Sequence, residues 1–286
     1  MTGRNVAVVT DSTAYIPDEA LGGLDIPAIP LWLIWGDERY RDGVDIAPND
    51  FYALLQTRDT VPSTSQPSVG EFVDFYRRVA EEQGTDTIVG TFISSKISGT
   101  VDSALAAAAE VPELDVTVID SFSTAMGLGF MALAAARRAA DGGSAAEVAA
   151  AAHAVRQRLT VLFTVDTLEY LHKGGRIGTA KRFLGTMLSI KPLLHLNEGC
   201  VEPLCQIRTK QRAVMEMLHR AEESLDGKAM AELAVIDVGC REESKGVAER
   251  ARERFELSQV YLAPVSPVIG THAGPGTIGM AFYVET

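Results

Sequence analysis

Residues 6–13 read Val6-Ala7-Val8-Val9-Thr10-Asp11-Ser12-Thr13, a short run of mostly β-branched residues that ends in a hydroxyl-rich turn. Comparable runs recur at residues 87–93 and 116–120, and a helical pattern follows each of them. Strands that alternate with helices in this way predict parallel βαβ units. The sequence therefore predicts an α/β fold whose N-terminal part is an α/β/α domain built on a parallel sheet.

Shorter elements complete the N-terminal half. A small hairpin is predicted at about residues 26–43, where Trp32 and Trp35 precede the turn residues Gly36-Asp37. Pro48 and Ser68 occupy the first helical position and the N-cap position of two predicted helices. The predicted helices of this half span residues 48–57, 70–83, 99–110, 124–141 and 144–158.

The second half has a different pattern. The segment Asp141-Gly142-Gly143-Ser144 separates two Ala-rich helices before a new strand-like stretch opens, so we place a domain boundary near residue 158. Two adjacent strands joined by Asn197-Glu198-Gly199 indicate a hairpin. Strands are predicted at 160–165, 191–196, 200–207, 234–238, 259–262 and 277–285, and helices near 179–189, 210–225 and 243–256. We therefore expect an α/β domain of residues 1–158 and a second α/β domain of residues 159–286 with a mixed or antiparallel sheet.

The composition restricts the partners. The 286 residues include 26 basic and 38 acidic ones, a net charge of −12 that disfavours binding to nucleic acid and to anionic membranes. No stretch approaches the roughly 20 unbroken apolar residues of a membrane helix, so no stable membrane insertion is expected. The sequence has three cysteines, Cys200, Cys205 and Cys240, and no two of them form a C-x-x-C pair. This pattern favours free thiols in a reducing compartment. With no signal-peptide pattern at the N-terminus, we expect a cytoplasmic protein.

Two matches to the dinucleotide-binding fingerprint lack the required context. Six residues separate the first, at residues 127–132, from the preceding strand, and the second, at residues 274–279, leads into the terminal strand without a crossover helix. The sequence contains no Walker loop, H-E-x-x-H or G-x-S-x-G motif. The five histidines show no metal-ligand spacing, so no metal site and no cofactor are predicted.

Hydroxyl side chains cluster in three turns, and one late histidine, His272, lies in a glycine-rich loop. The turns are Thr10-Asp11-Ser12-Thr13, Ser63-Thr64-Ser65-Gln66-Pro67-Ser68 and Ser94-Ser95-Lys96-Ile97-Ser98-Gly99-Thr100. Uncharged donors of this kind suit a carboxylate or phosphate head group. The pattern predicts a head-group site.

Two other functions remain open from the residues alone. A hydrolase of acyl esters or amides needs a nucleophile and a base. The nucleophile would be Ser95 or Ser98, and the base would be Lys96 or His272. The same residues also suit a helix cap, a solvated lysine and an exposed loop histidine. A regulatory protein that binds another small lipid carboxylate is the third alternative.

Seven motifs, in their order along the chain, closely resemble the DegV family. They are Thr10-Asp11-Ser12-Thr13, Thr64-Ser65-Gln66-Pro67, Ser94-Ser95-x-x-Ser98-Gly99-Thr100, Lys173-Gly174-Gly175-Arg176-Ile177, Lys191-Pro192, Arg208-Thr209 and His272-Ala273-Gly274-Pro275-Gly276. The match runs from Val6 to the C-terminus, and the chain is identified as a member of that family.

The resemblance implies a non-catalytic, two-domain α/β protein that holds one long-chain fatty acid between its domains. It further implies a partner, a separate ATP-dependent fatty acid kinase, which converts the presented acid to an acyl-phosphate for lipid synthesis. By the same resemblance, Thr64 and Ser98 hold the carboxylate, His272 completes the network and Ser65 is an additional contact. Lys96 departs from the small or apolar residue that the family often has there.

Arg176 and Arg208 match basic positions that the family links with the head-group surroundings or with kinase docking. The lining of the acyl tail is less specific. Candidates for it are Trp32, Phe92, Met126, Phe163 and Met187, although hydrophobic residues at such positions more often belong to the ordinary core.

Overall fold

The computed structural model describes residues 6–58, 60–186 and 190–286. In the first half, the strands are β1 (Ala7–Asp11), β2 (Ala28–Ile29), β3 (Trp32–Trp35), β4 (Glu38–Arg41), β5 (Ser63–Ser65), β6 (Thr87–Phe92) and β7 (Asp115–Asp120). Its helices are α1 (Asp18–Leu21), α2 (Pro48–Thr57), α3 (Val69–Gln83), α4 (Thr100–Glu110), α5 (Ala125–Ala140) and α6 (Ala145–Arg156), with a 3₁₀ helix at Ser12–Ala14.

A four-stranded sheet in the order β2-β1-β6-β7 forms the centre of this half, and its neighbouring strands are all parallel. Side chains alternate across it: Val9 packs with α3 and α4 on one face, whereas Val8 packs with α5 and α6 on the other. Helices therefore cover both faces. The predicted α/β/α arrangement with a parallel sheet is confirmed.

The region before α3 differs from its prediction. The hairpin of β3 and β4 turns at Gly36-Asp37 as expected, but β2 joins the parallel sheet instead. Residues 63–65, predicted as part of a turn, form strand β5 and pair antiparallel with β3. The register places Thr64 opposite Leu33, which is fully buried. Thr64 is thus held by a sheet and not by a turn.

The second half contains strands β8 (Leu159–Thr164), β9 (Leu193–Asn197), β10 (Cys200–Cys205), β11 (Met230–Asp237), β12 (Tyr261–Pro264) and β13 (Ile278–Val284). Its helices are α7 (Glu169–Lys173), α8 (Lys210–Ser224), α9 (Arg241–Arg254) and α10 (Pro267–Ala273). A 3₁₀ helix at Gly178–Thr186 stands where a helix near 179–189 was predicted, and residues 187–189 lie outside the described residues.

These strands form one sheet in the order β10-β9-β8-β13-β11-β12, in which β11 and β12 are parallel and the other neighbours are antiparallel. The predicted mixed sheet is therefore confirmed. The hairpin of β9 and β10 turns at Glu198 and Gly199, both with positive φ (46° and 78°), as a tight two-residue turn requires.

Helix α5 lies between the two sheets. Its residues Met126, Phe130 and Met131 are almost completely buried, in a cluster that includes Val8 of the parallel sheet and Ala281 of the mixed sheet. A helix that is apolar on nearly every side is expected where core surrounds it. Among the described residues, no helix is both long enough and apolar enough to cross a membrane.

Candidate functional site

A cavity lies at the seam between the two halves. Its free space measures about 890 Å³, including the part that opens to solvent. Most of its lining is apolar and comes from both halves: Leu31, Ile93, Ile97, Ala125, Val161, Phe163, Leu171, Leu196, Val201, Ile236, Val265, Val268, Ile269 and Ala273. Such a lining suits a hydrocarbon chain.

The predicted tail residues are only partly correct. Phe163 lines the cavity. Phe92 instead packs edge to face against Phe72, and Met126 is buried in the core around α5. Trp32 donates a hydrogen bond from its Nε1 to Glu71. Met187 lies outside the described residues.

The polar part of the lining contains Thr64 and His272. Thr64 Oγ1 lies 2.8 Å from His272 Nε2, in hydrogen-bond contact. The two residues come from opposite halves: Thr64 lies on β5, whereas His272 lies in the last turn of α10. The prediction of a glycine-rich loop at His272 is wrong, because Pro267 at the first helical position and a Ser266 cap begin a helix there.

Burial determines the charge of His272. Its Nδ1 is buried and has no hydrogen-bond partner. Gly174 packs against it so closely that a Cβ at position 174 would overlap Nδ1. Desolvation, with a smaller contribution from the charge of Arg176, lowers the pKa of His272 to about 4. The imidazole is therefore neutral near neutral pH.

A neutral imidazole carries its hydrogen on one ring nitrogen. With the hydrogen on Nε2, His272 donates to Thr64 Oγ1, and the hydroxyl hydrogen of Thr64 is then available to a ligand. The contact thus supplies a polar donor without adding a positive charge.

Ser98 borders the same cavity. Its Oγ lies 2.8 Å from Thr100 Oγ1, and its N–H donates to Ser94 O over 3.1 Å. The turn also packs against the segment that carries Thr64, because a Cβ at Gly99 would lie 2.9 Å from Gln66 Nε2. The second and third hydroxyl-rich segments therefore meet, as the head-group hypothesis requires.

Ser65 and Arg176 also line the cavity. The Ser65 hydroxyl donates to Gln66 O over 3.1 Å. Arg176 joins the halves: its Nε donates to Ile97 O over 2.9 Å, and its Nη1 donates to Gly174 O over 2.8 Å. The structure thus brings Thr64, Ser65, Ser98, Arg176 and His272 to one cavity.

Two predicted groups lie elsewhere. Arg208 is exposed in a surface groove that Arg212, Met215 and His219 also line, and it is not among the cavity's lining residues. The first hydroxyl-rich turn does not line the cavity either. Asp11 in that turn accepts hydrogen bonds from the Thr13 N–H and hydroxyl, so the turn stabilises itself.

The hydrolase alternative lacks its catalytic pair. Ser95 and Lys96 are exposed, and the Ser98 hydroxyl contacts Thr100, whereas His272 contacts Thr64. An activated nucleophile needs a base within hydrogen-bond reach and a third group that orients the base. Neither predicted serine has such a base, and Nδ1 of His272 has no orienting partner. The geometry favours binding over hydrolysis.

Sequence reasoning gave no role to Gly174 or Thr124. The double glycine of Lys173-Gly174-Gly175-Arg176 is the signal for the close approach of backbone to His272. Thr124 lines the cavity immediately before α5. No comparable signal marks it in the sequence.

Comparisons with known proteins agree with this fold. The DegV family model, described as an uncharacterised protein family, matches residues 5–285. A DegV domain-containing protein of Streptomyces coelicolor is 40% identical over 278 residues, covering 97% of this chain and 98% of that protein. Protein DegV of Bacillus subtilis is 33% identical over 279 residues, covering 97% and 99%.

Solved structures resemble the whole chain. A Thermus thermophilus DegV family protein, described by its fatty acid binding, has a TM-score of 0.88 at 33% identity, covering 98% of this chain and 100% of that chain. Bacillus subtilis DegV, described as a fatty acid binding protein, gives 0.89 at 33% identity, covering 98% and 99%. A stearic acid-binding protein from Eubacterium ventriosum gives 0.88 at 26% identity, covering 98% of each.

Proposed function

This chain belongs to the DegV family, and from that premise we propose that it binds one long-chain fatty acid in the cavity between its halves. Thr64, Ser98 and His272 hold the carboxylate, and Ser65 is an additional contact. The observation that carries the proposal is the apolar cavity bordered by the Thr64–His272 contact. The fatty acid binding of the similar solved structures supports it.

The tail supplies most of the affinity. Burying roughly fifteen methylenes at ~0.8 kcal/mol each is worth on the order of 10 kcal/mol before the costs of association. A head-group hydrogen bond contributes only about 1–3 kcal/mol. The hydroxyls therefore orient the acid more than they retain it.

The head group binds as a carboxylate among neutral donors, with one cation close by. Thr64 offers a hydroxyl hydrogen when His272 carries its hydrogen on Nε2, and Ser98 offers one when its Oγ accepts from Thr100. His272 is neutral. Arg176 provides positive charge near His272, while its guanidinium is held by two backbone carbonyls. This arrangement favours the ionised acid without enclosing the carboxylate in an ion pair.

The finer part of the proposal is a transfer to a partner. A separate ATP-dependent fatty acid kinase uses the presented carboxylate: its oxygen attacks the γ-phosphorus of ATP, the acyl-phosphate forms and ADP leaves. This chain positions the nucleophile, and the kinase supplies the nucleotide and stabilises the developing charge. The family resemblance and the exposed Arg208 support this role, with Arg208 as a docking contact.

Native mass spectrometry and lipid extraction of the purified protein test the binding. We expect about one fatty acid per chain, because the apolar lining has one set of head-group residues, Thr64, Ser98 and His272. Protein that is repeatedly empty and takes up no fatty acid would contradict the proposal. Addition of the kinase and ATP to loaded protein tests the transfer, with acyl-phosphate as the expected product only when both are present.

Ser98→Ala tests the head-group assignment. Loss of one hydroxyl leaves a carboxylate oxygen short of a donor, so we expect about tenfold weaker retention of the acid. The matched control is Ser95→Ala, because Ser95 is exposed and does not line the cavity. Equal retention in the two variants, measured by competition with a fluorescent fatty acid, would remove Ser98 from the site.

A further inference from the structure

A second polar group lies in the lining of the cavity. Thr124 borders it, and its Oγ1 is buried without a hydrogen-bond partner. Thr124 precedes the 16-residue helix α5, yet its side chain makes no capping hydrogen bond. A buried hydroxyl that pairs with neither its own helix nor a neighbour is unfavourable in the empty protein.

The backbone around Thr124 is held in place. Phe122 and Ala125 flank it with φ of 49° each, a conformation that residues with a Cβ seldom adopt. Two contacts fix the turn: Ser121 Oγ donates to Ser123 O over 3.0 Å, and Ser94 N donates to Ser123 O over 2.9 Å. Strained backbone that its surroundings maintain is typical of ligand sites.

The start of α5 lies over Val161, because a Cβ at Gly127 would be 2.8 Å from Val161 Cγ2. Ala125, directly after Thr124, and Val161 both belong to the apolar lining of the cavity. The Thr124 hydroxyl is therefore a polar group next to apolar lining residues, where a hydrocarbon tail would pack.

We propose that the Thr124 hydroxyl binds an oxygen substituent on the acyl chain, so that the ligands of this cavity include fatty acids with a hydroxyl or keto group along the tail. The proposal rests on the proposed function. An unsubstituted tail offers no hydrogen bond and leaves Oγ1 unpaired. An oxygen at the matching position accepts from Thr124, and a ligand hydroxyl can also donate to it.

Competition binding with stearic acid and with hydroxystearic acids that differ in hydroxyl position tests this inference. The quantity compared is the affinity for a hydroxystearic acid divided by the affinity for stearic acid. For one positional isomer, we expect this ratio to be about tenfold higher in the unmodified protein than in Thr124→Val. The valine keeps the shape of threonine and removes the hydroxyl. Thr124→Ser restores the hydroxyl and should restore most of the preference.

Thr164→Val is the matched control. Thr164 also has a buried, unpartnered Oγ1, but it does not line the cavity, so its loss should leave the preference unchanged. If the affinity of every hydroxystearic acid relative to stearic acid is the same in the unmodified protein and in Thr124→Val, the inference fails, although fatty acid binding itself is still supported. If the unmodified protein binds neither stearic acid nor any hydroxylated acid, both proposals fail.

Discussion

At the scale of single residues, the position of the His272 ring depends on the absence of a side chain elsewhere. Gly174 has ordinary helical dihedral angles (φ −76°, ψ −7°), so its backbone alone does not require glycine. Its contact with His272 Nδ1 does require glycine, because a Cβ at position 174 would overlap that nitrogen. The imidazole reaches Thr64 only because position 174 leaves this space.

We expect Gly174→Ala to weaken fatty acid retention about tenfold, close to the effect of His272→Ala, because the new methyl group displaces the imidazole from Thr64. Isothermal titration of delipidated protein measures the change. Retention equal to that of the unmodified protein would show that the ring position is not needed for binding.

Gly175→Ala provides the comparison. Gly175 has a φ of +71° and nothing within 4 Å of a Cβ, so alanine strains the backbone without touching His272. The expected cost is about 1 kcal/mol of unfolding free energy, with unchanged retention. The two neighbouring glycines thus separate a steric effect on the site from a general effect on stability.

At the scale of elements, α10 joins a buried carboxylate to the site. Asp42, which is 1% exposed, accepts a hydrogen bond from Ser12 Oγ over 2.7 Å, and its Oδ1 has no partner that meets hydrogen-bond geometry. Burial raises the pKa of Asp42 to about 7, although Ser266 and Val268 at the start of α10 act to lower it. Seven residues long, the helix ends at Ala273, directly after His272.

Asp42→Asn should make the protein more stable above neutral pH. Between the ordinary pKa of 3.8 and the folded value of about 7, the folded carboxyl holds a proton that the unfolded chain has lost. The free energy of unfolding therefore falls as the pH rises through this window. Asparagine cannot ionise, so the variant avoids a loss on the order of 4 kcal/mol. Urea unfolding at a series of pH values measures it.

Two other groups also affect how the free energy of unfolding depends on pH, and both are present in the unmodified protein and in Asp42→Asn. Asp11, with a pKa raised by burial to about 6, acts in the same direction as Asp42. His272, with a pKa of about 4 against the ordinary 6.5, acts in the opposite direction, and its contribution falls as the pH falls through that window. Asp45→Asn, at an exposed carboxylate paired with Arg41, should not remove the loss near pH 7. An identical pH profile for Asp42→Asn and the unmodified protein would contradict the prediction.

Elements with local signals could be predicted from the sequence. Pro48 begins α2, and Ser68 caps α3 by a reciprocal pair of hydrogen bonds with Glu71. Strand β5 was missed because only three residues form it, and pairing with β3 stabilises it. Helix α10 was missed because its glycines suggest a loop, whereas Gly270 is required by the Tyr52 ring against it.

The site was predictable only in part, because some of its contacts depend on residues that are distant in the sequence. Thr64, Ser98 and His272 came from the family resemblance, and the structure brings them to one cavity. That Arg208 lies in a different groove follows from the three-dimensional path of the chain, which sequence spacing does not contain. The unpaired state of Thr124 Oγ1 depends likewise on every neighbour around it.

At the scale of the whole molecule, the two halves share structure across the cavity. Tyr52 OH donates to Val265 O over 2.5 Å, and Ser94 Oγ donates to Gly199 O over 3.0 Å. Arg137 of α5 pairs with Glu232 of β11. Together with the core around α5, these contacts join the two halves around the cavity.

Loading with fatty acid should raise the melting temperature of the delipidated protein. A free ligand concentration of about 100 Kd stabilises the folded state by about 2.7 kcal/mol, which corresponds to roughly 5–10 °C for a protein of this size. The shared core predicts a single transition in both states. Calorimetry that finds two separate transitions, or no shift on loading, would contradict this.

The division of the donors between the halves has a practical consequence. Thr64 and Ser98 precede the short link between Arg156 and Leu159, whereas Arg176 and His272 follow it. A polypeptide cut at that link would give two fragments, each carrying an incomplete receptor. Because both fragments contribute to the core around α5, they should stay associated without lipid, and a bound fatty acid would add one further connection across the cut.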